Sequence, residues 1–284
     1  MSSLPLQPRR IDLSRWVIYG LVCLAVLLPY VIYVEMPFTP SKEAKGLYDQ
    51  LEALKKGDHV LLAFDFDPAS QAELRPMGRA LLLHCFRKGV IPVVMTFWPN
   101  GLNMDKEIIE KTAPEAGKMW SREFKNGRDY VFLGFRPGDT SFILLMGENL
   151  KTAFDKDYYQ NPTQKLPGLT DVNTLKDMKL VVDLAAGATV QAWIAWGSDR
   201  FGFPLGAGTT AVSAPDMYPF LQSRQVVGLL GGLRGAADYE VLLNVNGDGR
   251  LGMQAQSFTH LLLVGLILFA NVVVFIRWIR GGKD

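Results

Sequence analysis

Two uncharged apolar stretches, one near each end, constrain this chain more than anything else in it. Residues 16–34 (WVIYGLVCLAVLLPYVIYV) carry no charged side chain, and neither do residues 257–276 (SFTHLLLVGLILFANVVVFI). A helix needs about 20 such residues to cross the hydrocarbon core of a bilayer. Trp16, Tyr30, Tyr33 and Trp278 stand near the ends of these stretches, where amphipathic rings settle at the interface. The sequence thus predicts two transmembrane helices, 16–34 and 257–278. The first leaves through Glu35-Met36-Pro37-Phe38, without the small residues that a signal peptidase needs, so it reads as an uncleaved anchor.

Charge gives the orientation. Arg9, Arg10, Arg15, Arg277, Arg280 and Lys283 against Asp12 and Asp284 leave the two tails at +4, so the overall +2 hides a middle at −2. Basic residues flanking membrane helices stay on the cytoplasmic side. Residues 1–15 and 279–284 are therefore expected to be cytoplasmic tails at an inner (cytoplasmic) membrane. Residues 35–256 are expected to form a periplasmic or extracellular domain. A mildly acidic middle argues against nucleic acid, which calls for a basic face. The lipid bilayer and other membrane-protein subunits are the expected partners. Cys23 falls in the first apolar stretch and Cys85 in a predicted soluble helix, so the pair gives neither a disulfide framework nor a metal-binding spacing.

The middle is organised around residues 59–68, HVLLAFDFDP. An apolar run that ends in two aspartates and a proline predicts a buried strand delivering its carboxyl end to a helix start. Before it, Thr39-Pro40-Ser41 and the spacing of Leu47, Leu51 and Leu54 predict a helix. After it, helices are predicted over 70–88, 103–118 and 140–154, and strands over 90–97, 129–135, 178–184, 189–196 and 209–212. Residues 155–170, rich in Pro, Asn, Gln and Tyr, predict an exposed excursion, long enough to be functional, and 173–177 a short helix. Strands alternating with helices predict an α/β domain with a mostly parallel, Rossmann-like sheet flanked by helices, held between the two transmembrane helices.

Ligands of such sheets bind beyond the carboxyl ends of the strands. Asp65 and Asp67 stand there, and Thr96, Arg136, Asp183 and Ser198-Asp199-Arg200 fall at equivalent ends. Paired carboxylates can hold Mg²⁺, or one can accept a phosphoryl group. The Asp65-Phe66-Asp67 motif, with Thr96 ending the next strand and Asp183 later, is similar to the first motifs of haloacid-dehalogenase-like phosphatases. That resemblance implies an Mg-dependent hydrolase or phosphoryl-transfer enzyme. The chain departs from it at Pro68-Ala69, lacks a lysine in the family's place, and lacks the family's late acidic pair. Asp67 followed by Pro68 also reads as a helix cap, with proline at the first position.

Three further stretches carry residue types with known uses. Residues 244–251, NVNGDGRL, resemble the first half of an EF-hand or dockerin calcium loop, with Asn244, Asn246 and Asp248 as candidate ligands. Ala255 stands where the bidentate acid would be. The run VVGLLGGLRGAA, residues 226–237, places Gly228 and Gly232, and Gly231 and Gly235, four apart. Read as a helix, such small faces let two backbones approach, and Gly228, Gly231, Gly232 and Gly235 become a candidate oligomer contact. Gly206-Ala207-Gly208-Thr209-Thr210 is glycine-rich, without the GxxxxGKS or GxGxxG context of a phosphate loop. His59, His84 and His260 do not cluster with acids, and no GxSxG or HExxH occurs. No cofactor is expected on the leading reading, a non-enzymatic subunit of a cell-envelope complex for transport, secretion or surface assembly. The alternative is the Mg-dependent enzyme using Asp65 and Asp67.

Overall fold

In the computed structural model, which describes residues 13–32 and 39–281, the chain divides into two units. One spans residues 1–36 and 251–284; the other, residues 37–250, holds the α/β domain.

The first unit holds α1 (Leu13–Val31) and nearly all of the last helix, α11 (Asp248–Gly281). Among the described residues, α11 is the one helix long and apolar enough to cross a membrane, and the apolar helix Arg15–Val31 is shorter. Residues 33 and 34 of the first predicted span lie outside the described residues. Trp16, Tyr19, Leu24 and Leu27 of α1 are exposed, as are Leu261, Ile267, Phe269 and Phe275 of α11. In water, apolar surface of this extent is a liability.

In the domain, Ser41 accepts the Ala44 amide and starts α2 (Lys42–Glu52). Then follow β1 (His59–Asp65), α3 (Gln71–Lys88), β2 (Ile91–Thr96), α4 (Leu102–Trp120) and β3 (Val131–Phe135). Gly89, at φ 71°, ends α3 where Arg87 and Lys88 complement its dipole. Next come α5 (Asp139–Glu148), α6 (Leu150–Ala153), three 3₁₀ turns and β4 (Leu180–Ala185). The chain continues through α7 (Thr189–Ala192), a π-helical turn (Trp193–Ser198), α8 (Asp199–Phe201), β5 (Leu205–Thr209), α9 (Ala214–Gln222), β6 (Gly228–Gly231) and α10 (Gly232–Leu243).

All six strands are parallel, in the order β3-β2-β1-β4-β5-β6. This is the doubly wound arrangement, with its switch point between β1 and β4. One face of the sheet packs Val60, Leu62, Phe64, Val182 and Leu184 against the long helices α2, α3, α4 and α10. The opposite face packs Leu61, Ala63, Val181 and Leu205 against α5, α6, the 3₁₀ turns, Trp193 and α9. Every β1 side chain is buried, and each large apolar one contributes about 2 kcal/mol.

The structure corrects four sequence expectations. Residues 189–196 are helical, not a strand. Their apparent alternation also places Val190, Trp193, Ile194 and Gly197 at helical spacing, and those four are the buried ones. The strand lies instead at Leu205–Thr209, inside the glycine-rich stretch, and the strand expected over 209–212 does not form, residues 211–213 being a turn. The helix expected over 140–154 breaks at Asn149, whose extended backbone and side chain restart it by accepting the Thr152 amide. Residues 155–170 are largely exposed, as expected, but anchored: Asp157, Thr163, Leu166 and Leu169 are buried, and the Tyr158 amide donates to the Phe132 carbonyl on the outer edge of β3.

The fourth correction concerns the glycines. Gly228 and Gly231 lie in β6, and Gly232 and Gly235 in the first turn of α10, so the helix face expected to carry an oligomer contact does not form. Gly228 passes against the backbone of Leu47, leaving no room for a Cβ. Gly232 turns strand into helix at φ 58°. The four positions serve close packing inside the domain.

Candidate functional site

Asp65 closes β1 at the switch point, wholly buried. Its Oδ1 accepts the Phe97 amide (2.6 Å) and the Thr96 hydroxyl (3.1 Å). Asp183, on β4, lies on the same face, its register partner being Ala63. Both Asp183 oxygens and Asp65 Oδ2 are buried without a hydrogen-bond partner of good geometry. A third buried acid, Asp105 in the first turn of α4, also has both oxygens unpartnered.

A buried carboxylate without donors cannot stay ionised cheaply. Burial pushes Asp65 up to about 7, against the lowering effect of the Phe97 and Thr96 hydrogen bonds. Burial, and then the neighbouring Asp65, raise Asp183 well above the carboxylate range. Burial raises Asp105 in the same way, with Asp65 adding to it. The proton of the pair stays on Asp183, where it can be offered to Asp65. Asp65, Thr96 and Asp183, expected from sequence, are thus brought together.

Asp67 is not part of that group. Its Oδ1 accepts the amides of Ala69 (3.0 Å) and Ser70 (3.2 Å) and the Ser70 hydroxyl (2.8 Å). These bonds, the Ser70 hydroxyl first, lower its pKa. It stabilises the turn that leads into α3. Among the described residues, no three His, Cys, Asp or Glu side chains converge closely enough to hold a metal ion. The two carboxylates that an Mg²⁺ site would require therefore face different tasks.

The remaining candidates disperse. Ser198 donates to the Phe203 carbonyl, and Asp199 accepts from Gln225. Asn244 ends α10 in the left-handed conformation, φ 54°. Asn246 Oδ1 accepts the Arg250 guanidinium at 2.8 Å, so a cation already occupies that oxygen. Asp248 begins α11. The turn between α10 and α11 is held by Glu240, which accepts the amides of Gly249 and Arg250. Burial raises the Glu240 carboxyl to about 7, against those two bonds and the Arg79 charge.

Two groupings escaped sequence reasoning. Asp105 looks like an ordinary acidic residue in a first helical turn, where its charge would suit the dipole, so nothing local signals its burial. His84 is buried between Tyr239 and Glu52: the Tyr239 hydroxyl donates to Nδ1 (2.8 Å) and Nε2–H donates to Glu52 (2.8 Å). These residues come from α2, α3 and α10, so only the tertiary fold brings them together.

No family model and no curated protein matches the chain. Six chains of known structure align with it. The C-terminal domain of a glycosyl transferase group 1 family protein (LpcC) from Francisella tularensis does so at 13% identity and a TM-score of 0.33, over 80% of this chain and 94% of that one. The Candida albicans trehalose-6-phosphate phosphatase N-terminal domain aligns at 8% identity and 0.34, over 85% and 44%. Levodione reductase aligns at 15% identity and 0.28, over 71% and 95%. Scores this low carry no argument about activity. The strand order itself defines the class, a doubly wound α/β domain, here in a chain with one long apolar helix among the described residues.

Proposed function

We propose that this chain is a membrane-anchored, non-enzymatic subunit of a cell-envelope complex. Residues 16–34 and 257–278 span the inner membrane, both termini are cytoplasmic, and residues 35–256 form a periplasmic or extracellular α/β domain. That domain acts by assembly with other membrane-protein subunits or with further copies of itself. The observation that carries the reading is the run of exposed apolar side chains along α1 and α11, with basic residues at the outer flanks of both stretches. The disposition of Asp67 supports the non-enzymatic part, because its acceptor oxygen is taken up by the turn before α3. The alternative, an Mg-dependent hydrolase or phosphoryl-transfer enzyme, would require Asp67 to leave that turn and meet Asp65.

Protease added to intact spheroplasts tests the topology. The domain should be cut while both tails stay protected. Cleavage of the domain only after the inner membrane is opened overturns the proposal.

A further inference from the structure

The long connection after α6 builds one wall of a cleft of about 350 Å³ at the carboxyl end of β3. The other walls are residues 133–136 and Leu102, the first residue of α4. The connection is held rigidly. Asp157 Oδ2 accepts the side-chain amides of Asn126 (2.7 Å) and Asn161 (3.1 Å), and its Oδ1 accepts the Asn161 backbone amide (2.8 Å). Gln160 is locked at φ 67°, a conformation a non-glycine residue holds only when its surroundings impose it.

Two cations stand in this cleft. The Arg136 guanidinium lies 4.9 Å over the Phe154 ring, and its Nη1 donates to the Phe135 carbonyl. That anchoring leaves most of its donor fork available. Asp155 stands 3.7 Å from Arg136 Nη2 and is 77% exposed, a loose pair of little strength. Lys156 has no carboxylate within ion-pair distance among the described residues. Asp157 also lines the cleft, but its oxygens are filled by the three N–H donors named above. Finally, α4 starts here without a side-chain cap, so its positive end adds to the field.

We propose that this cleft binds a small anion, a phosphate or carboxylate group, between Arg136 and Lys156. The site does not depend on the membrane topology. The anion is either free in solution or carried on a lipid headgroup, and the probes separate the two.

The full chain in mild non-ionic detergent is titrated at constant ionic strength with inorganic phosphate. In parallel it is titrated with dihexanoyl phosphatidylglycerol as a soluble headgroup, and the unfolding midpoint is followed. A saturable rise with phosphate assigns a free anion; a rise with the lipid alone assigns a headgroup. In either case Arg136→Gln and Lys156→Gln each weaken binding at least about tenfold. Asp155→Asn tightens it, and Lys176→Gln, away from the cleft, leaves it unchanged. Absence of saturation with both probes overturns the proposal, as does equal binding by Lys156→Gln, an exposed position where loss of folding is not at issue.

Discussion

Two sites, the His84 group within the long helices and the acid pair at the β1–β4 strand ends, bury ionisable groups in opposite ways. On the face covered by long helices, His84 has Tyr239 on one ring nitrogen and Glu52 on the other. Arg79 on the same face bonds Glu115 and lies 3.9 Å from Glu240. On the face covered by short helices and turns, Asp65 and Asp183 meet across the β1–β4 pair, with three oxygens between them lacking donors. A buried group with partners keeps the state that its partners require. A buried acid without them keeps its proton. His84 and the Asp65–Asp183 pair should therefore respond to acid with opposite signs, with Asp105 and Glu240 siding with the acid pair.

The largest effect is expected at Asp65, the acid with most to lose. Asp65→Ala strips the acceptor from the buried Phe97 amide and Thr96 hydroxyl and leaves a void. The loss should be about 3 kcal/mol, measured by urea unfolding in detergent with tryptophan fluorescence. A loss below about 1 kcal/mol would mean that water reaches this strand end, and the contrast between the two sites would disappear.

The pH profile tests the contrast directly. For the acid pair the folded pKa is raised, so its stabilisation is complete below the unfolded carboxylate value of 3.8 and is lost as pH rises through about 7. For His84, burial lowers the folded pKa from 6.5 to about 4, against the raising effect of Glu52. Its stabilisation is complete above 6.5 and is lost as pH falls towards 4, by about 3 kcal/mol over the interval. Asp183→Asn replaces the shared proton with a fixed amide donor and should flatten the decline towards pH 7. His84→Gln should flatten the decline towards pH 4. If both variants shift the profile in the same direction, the two sites are not electrostatically distinct.

The same contrast explains how much of the fold was legible in the sequence. The first half of the domain announced itself: β1 as a continuous apolar run, α3 by its inner stripe and Gly89, β2 and β3 by short apolar segments. Each long helix there has a periodicity that one reading satisfies. The other face is made of pieces of three to ten residues, too short for a period to decide. Residues 189–196 fit alternation and helical spacing equally, and tertiary packing of Val190, Trp193 and Ile194 settled the matter. The run 226–237 failed for a different reason. Glycines four apart suit a close helix pair, but they equally suit a strand passing under α2 followed by a helix start. At the candidate site, the pairing of Asp65 with Asp183 follows from the strand order, which places β1 beside β4. Asp105 and the Glu52–His84–Tyr239 group could not be read, because their partners are set by packing across helices.

The smallest expected effect sharpens the comparison at one strand end. Asp65 and Asp67 are two residues apart, yet one is buried and shared with β2, while the other is partly exposed and serves its own turn. Removing Asp67 frees two amides and a hydroxyl, but water can reach them, so only the turn's own hydrogen bonds are forfeited. Asp67→Ala should therefore lower the unfolding midpoint only slightly, and Asp67→Asn less still, since the amide oxygen can accept the same bonds. Unfolding midpoints of both variants beside Asp65→Ala give the ranking. Were Asp67→Asn as damaging as Asp65→Ala, the charge rather than the acceptor would matter at position 67. That outcome would reopen the case for a cation held between the two carboxylates.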